Sequence, residues 1–141
     1  LWEGRYKSCL VDSNRYVLAC IRYIERNPLR AAMVVQPWDF QWSSVHAHLG
    51  LRDDHRWTPH PIYLALGANA ATRAANYRAL LMEALNADDM AAIREHLHQE
   101  RALGSPRFQA MIEKALNRPV HIRPPGRPAR TAGVDSNAIV L

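Results

Sequence analysis

The side chain with the most chemistry to offer in this sequence is Tyr23, in the run Arg22-Tyr-Ile-Glu-Arg-Asn-Pro-Leu-Arg30. A phenol with a pKa of about 10 is a weak nucleophile at neutral pH and reacts only where its surroundings activate it. The partner residues such a tyrosine would need are absent upstream, so the chain reads as the back end of an enzyme. It opens at Leu1 inside an apolar and basic stretch, which leads us to expect a missing front half. Two His-x-His pairs, His46-Ala-His48 and His96-Leu-His98, look like metal ligands by type. Both fall in stretches that read as helical, where residues i and i+2 point about 200° apart and do not share an ion. Cys9 and Cys20 match no metal spacing and are too few for a disulfide framework, so free thiols are expected.

Outward from Tyr23, the first element is a strand over Arg5 to Val11, with Arg5 and Lys7 on one face by period-two alternation. Asp12-Ser13 can cap a helix from about Asn14 to Arg26, stopped by Asn27-Pro28. Val17, Cys20, Ile21 and Ile24 recur at helical spacing and form its expected buried stripe. Tyr23 lies beside that stripe, which lets its phenol face a cleft; an ordinary core-edge tyrosine would sit there too. Leu29 to Val35 continues as a short helical piece, and Pro37-Trp-Asp-Phe-Gln-Trp42 as an aromatic turn. Ser43 and Ser44 can cap a short helix that ends at Gly50.

From Pro59 to Asn117 the chain reads as helical throughout: Ala71 to Leu85, then Met90 to Arg101 capped by Asp88, then a helix opened by Ser105-Pro106 and running through Leu116. The short Leu103-Gly104 turn suggests a helix-turn-helix. From Arg118 the sequence is Pro/Arg-rich and then small and polar, without periodicity, and is expected to be disordered in isolation. The expected fold is mainly α with one or two residual β-strands at the N-terminus, divided into residues 1–58, 59–117 and 118–141.

Charge separates these blocks. Residues 1–50 hold six basic and four acidic side chains, residues 51–116 eight of each, and residues 117–141 four and one, so the net +5 sits at the two ends. Clustered Lys and Arg suit a polyanionic partner, because they release counterions condensed on phosphate; a solvated basic tail with no partner is the plainer alternative. With no run of about 18 apolar residues and no signal peptide, a cytoplasmic protein without a membrane partner is expected.

Three stretches occur in a telling order: Leu1-Trp-Glu-Gly-Arg-Tyr-Lys-Ser8, Tyr23-Ile-Glu-Arg-Asn-Pro-Leu-Arg-Ala31 and Trp42-Ser-Ser44. Together they resemble the C-terminal part of the REP-associated tyrosine transposases, relatives of the HUH single-strand transposases of bacteria. Leu103-Gly-Ser-Pro-Arg-Phe108 and Gly126-Arg-Pro128 are similar to the helical extension and basic tail of longer members. The resemblance implies a truncated ferredoxin-like α+β domain followed by a helical extension. It implies Tyr23 as the nucleophile on single-stranded hairpin DNA, linked to a 5′ phosphate, and a nucleoid-associated protein. It also implies magnesium or manganese, held by a His-hydrophobic-His strand that this sequence lacks and by Asn27 one helical turn after the tyrosine. The chain alone is therefore expected to be inactive and to hold no metal tightly. Arg5, Lys7 and Arg30 are phosphate-contact candidates on charge and position.

Other readings stand beside that one. The Ser105-Pro106 helix could present Arg107, Gln109 and Lys114 to DNA, or simply pack in a bundle. Pro125-Gly-Arg-Pro128, with Arg123, Arg127 and Arg130, resembles an AT-hook, although Pro125 stands where an arginine normally precedes the glycine. Trp2, Tyr6, Trp38 and Trp42 could mark a protein-binding surface, with the chain a monomer or a homodimer.

Overall fold

Helix α7, Pro106–Leu116, begins where its residues dictate: Ser105 Oγ accepts from the Phe108 amide, Pro106 fills the first turn, and Asn117 ends the helix in the left-handed region. The chain is described by a computed structural model over residues 7–12, 16–123 and 126. Before α7 come α1 (Val17–Glu25), α2 (Asn27–Arg30), a 3₁₀ turn (Pro37–Asp39), α3 (Val45–His48), α4 (Pro61–Leu64), α5 (Ala70–Met82) and α6 (Ala87–Gln99). The fold is mainly helical, and no helix among the described residues is long and apolar enough to cross a membrane.

Local chemistry moves some boundaries away from the sequence reading. Helix α1 opens at Val17, after the expected Asn14, and residues 13–15 lie outside the described ones. Asp12 turns its carboxylate to the start of α7, where it accepts from the Ser105 hydroxyl at 3.3 Å. Helix α6 starts at Ala87, because Asn86 rather than Asp88 supplies the capping oxygen, accepting from the Asp88 amide. Asn69 caps α5 by accepting from Thr72. Pro28 does not simply stop α1; it sits in the first turn of α2, separated from α1 by the single residue Arg26. Gly50, at φ +66°, closes the α3 segment in the left-handed conformation that glycine adopts without strain.

The strand expected over Arg5 to Val11 does not form in its described part. Val11 alone makes a parallel bridge, to Leu103, with the Leu103 amide donating to Leu10 O and the Asp12 amide to Leu103 O, both at 2.8 Å. Pairing ends there because no neighbouring strand continues it among the described residues, and Arg5 lies outside them. The α6–α7 connection is not a bare helix-turn-helix turn either. Leu103 is buried against the N-terminal segment, and a Cβ on Gly104 would come within 2.7 Å of Asp12 Cβ and closer still to the Phe108 ring.

The core ignores the expected boundary at residue 58. Val45, Leu49, Tyr63, Tyr77 and Leu81 form one buried cluster, with Leu18, Ile21, Trp38, Trp57 and Leu66 packed on it. Helices α1, α3, α4 and α5 all contribute to it, so the first two expected blocks share their interior. Residues 118–123 also leave the expected tail. Val120 is buried, its carbonyl accepts from the Ala102 amide, and Gln99 exchanges two hydrogen bonds with the Arg123 backbone. The remaining Pro/Arg-rich stretch, including Arg127 and Arg130, lies outside the described residues.

Candidate functional site

Tyr23 projects from α1 where that helix packs on α6, half-buried at the helix edge. Arg94, on the exposed face of α6, donates from Nε to the Tyr23 hydroxyl across 3.4 Å, and its guanidinium carbon is 6.0 Å from the ring centroid. The Arg30 guanidinium of α2 stands over the same ring at 4.8 Å, within cation–π range. Partial burial pushes the phenol pKa up, but hydrogen bonding from Arg94 and Arg30, with their charges, outweighs it and holds the phenol below its ordinary value of 10. The environment therefore makes the phenol easier to ionise than a free tyrosine. Two cationic forks beside one hydroxyl also suit a phosphate, which guanidinium binds through paired hydrogen bonds.

Of the residues singled out by sequence, Tyr23 and Arg30 come together. Asn27 is exposed and lines a groove of about 390 Å³ with Ile24, Met33, Phe40, Trp42 and Ser44, a lining that does not include Tyr23. Helix α1 ends at Glu25 and Asn27 opens α2, with Arg26, itself in the right-handed helical region, between them. Lys7 is exposed at the start of the described chain, and Arg123 is exposed beyond α7. Among the described residues no group of three or more His, Cys, Asp and Glu is arranged to hold a metal ion. The His46 ring sits between two carbonyls, with Nε2 2.9 Å from Trp38 O and Nδ1 3.2 Å from Ser43 O.

The most tightly built polar cluster among the described residues centres on Glu25, only 1% exposed. Its Oε1 accepts from Ser44 Oγ at 2.6 Å and meets His48 Nδ1 at 2.7 Å, while Oε2 accepts from the Tyr77 hydroxyl at 2.5 Å. A carboxylate withdrawn from water requires such partners. Tyr77 stacks on the His48 ring at 4.7 Å, Trp57 and Tyr63 meet that ring edge-on, and the Tyr63 hydroxyl donates to His48 O at 2.7 Å. Burial, then the charge and hydrogen bond of Glu25, hold the Tyr77 phenol far above the ordinary range.

Ser44, His48 and Glu25 have the residue types of a hydrolase triad without its geometry. The serine donates to the carboxylate instead of handing its proton to the imidazole, so no activated serine results. What the cluster does is fix the rotation of α1 two residues after Tyr23. Sequence periodicity puts Ile24 on the buried stripe; Ile24 is 65% exposed and Glu25 takes the inward position. No signal in the sequence distinguishes a buried Glu25 from a surface one, because its three partners come from positions 44, 48 and 77. Arg94 is equally inconspicuous, being one of eight basic residues in an electrically balanced block. No family model, curated protein or solved structure matches the chain.

Proposed function

We propose that this chain is the tyrosine-bearing portion of a DNA-binding transposase of the REP-associated type, acting on single-stranded hairpin DNA. The observation that carries the reading is the Tyr23 hydroxyl held by Arg94 beneath the Arg30 guanidinium, on the tyrosine that the resemblance singles out. In the reaction, the Tyr23 phenol gives its proton to solvent, its oxygen bonds to phosphorus and the bond from phosphorus to the 3′ oxygen breaks. A 5′-phosphotyrosine forms, and the 3′ oxygen leaves as a hydroxyl after taking a proton from solvent. Arg30 and Arg94 stabilise the negative charge on the phosphoryl oxygens and favour the ionised phenol. The ferredoxin-like sheet, the His-hydrophobic-His strand, the divalent metal and a cytoplasmic, nucleoid-associated location belong to the same proposal. This chain's residues supply nucleophile and phosphate contacts, and the chain alone is expected to bind without cutting.

The test is an electrophoretic assay with a labelled hairpin oligonucleotide, the purified chain, and magnesium or manganese. A shifted complex with the single-stranded hairpin, weaker with a fully paired duplex of the same sequence, is the expected result. Any covalent adduct surviving denaturation must vanish in Tyr23→Phe. Equal binding to hairpin and duplex, or none, would sink the reading.

A second reading, a protein-interaction module without catalysis, has its own support. Ile24, Met33, Val35 and Trp42 are between 64% and 78% exposed, and three of them line the Asn27 groove. Light scattering that returns a monodisperse monomer counts against self-association through this face.

A further inference from the structure

Arg94 belongs to two places at once. On one side it meets the Tyr23 hydroxyl; on the other it lines a broad groove of about 960 Å³ with Ala91, Glu95, His98, Gln99 and Arg123. Arg94 and His98 are one helical turn apart on the exposed face of α6. Arg123 arrives from beyond α7, and its backbone is pinned there by the amide group of Gln99, which donates to Arg123 O at 3.0 Å and accepts from Arg123 N at 2.9 Å. Neither Arg94 nor Arg123 has a carboxylate in ion-pair range among the described residues, whereas Arg52 and Arg56 are tied to Asp54.

We infer that this face of α6 is a track for a single-stranded nucleic-acid backbone, entering at Arg123, passing His98 and delivering a phosphate to Arg94 and Tyr23. The inference rests on the proposed function only for the identity of the polymer. Its physical basis is separate. A broad, shallow groove bounded by guanidinium groups without carboxylate partners fits a flexible chain of phosphates better than an enclosed small molecule, which is held by a concave and mostly apolar pocket. Glu95, on the same face, keeps the groove from being a uniform cationic patch, so binding concentrates at the two arginines. The hydroxyl of Tyr23 marks the end of the track nearest α1.

The track is tested by fluorescence anisotropy of a labelled single-stranded oligonucleotide without a hairpin, titrated with the full chain over a range of salt concentrations. For a single strand, every phosphate that the protein no longer neutralises reduces the slope of log affinity against log salt by about 0.7. Arg94→Ala and Arg123→Ala are each expected to reduce the slope by that amount, and the double variant by about twice as much. Arg56→Ala, exposed, paired with Asp54 and outside the groove, serves as control and leaves the slope unchanged. Slopes in the Arg94 and Arg123 variants equal to those of the unaltered protein, or absence of binding by the unaltered protein, would overturn the track. So would equally tight binding of a duplex with the same variant response. Comparing the hairpin with the unstructured strand separates the two proposals. Equal binding of both, with slopes reduced in the variants, leaves the track standing and removes the transposase reading, while a preference for the hairpin with unmoved slopes does the reverse.

Discussion

At the residue scale the molecule contains two tyrosines under opposite influences. Tyr23 is drawn toward ionisation by Arg94 and Arg30, whereas Tyr77 is held protonated by burial and by the carboxylate it donates to. The sign of the pH dependence follows. The folded-state pKa of Tyr77 lies above its unfolded value, so its contribution is fully present below about pH 10 and is lost as pH rises toward the folded value. Tyr23, with a lowered pKa, contributes in the opposite sense, with stability present above about pH 10 and lost as pH falls through its folded value. Chemical denaturation followed across the alkaline range should show stability falling above about pH 10, and Tyr77→Phe should flatten that fall. The same variant should cost about 1.5 to 3 kcal/mol at neutral pH, because it removes a hydrogen bond to a charged group. An alkaline limb unchanged by Tyr77→Phe would mean that this phenol does not control it.

At the element scale, α1 holds α5 by its carbonyl end. Arg26 donates from one guanidinium nitrogen to Leu81 O and Glu83 O, and Arg22 donates to Glu83 O at 3.1 Å. The last carbonyls of a helix have no partner within it, and cations there also meet the favourable end of the macrodipole. Arg26→Met keeps the aliphatic stem but leaves the carbonyl of buried Leu81 without this donor, and should lower stability by about 1 to 2 kcal/mol in urea unfolding. A change within experimental error would show that water replaces the guanidinium. Cap chemistry was legible only in part: Ser105-Pro106 marked the start of α7, but Ser44 at the start of α3 makes no side-chain cap bond and Asn86 took the role expected of Asp88. The face each helix turns inward was less legible. Periodicity gave Ile24 to the core of α1, and the partners of Glu25 on other elements reversed it.

At the scale of the whole molecule, distant segments are fastened into one body. The N-terminal segment meets Leu103, Val120 meets Ala102, and the aromatic core takes side chains from residue 18 to residue 81. Unfolding followed by the fluorescence of the four tryptophans, of which Trp38 and Trp57 pack on the core, should therefore coincide with loss of helical circular dichroism in a single transition. Two separated transitions would restore the expected division at residue 58. What the sequence determined by itself was local: helix content, the Ser105-Pro106 start of α7 and the basic ends. These follow from propensity, side-chain hydrogen bonds to nearby amides and charge, all readable over a few residues. Tertiary structure alone decided that Glu25 is buried, that Asn27 faces another groove, and that Arg94 reaches Tyr23 from 71 positions away. Those outcomes depend on which surfaces must leave water together and on which polar groups then have to find each other, a condition on the whole chain that no short window contains.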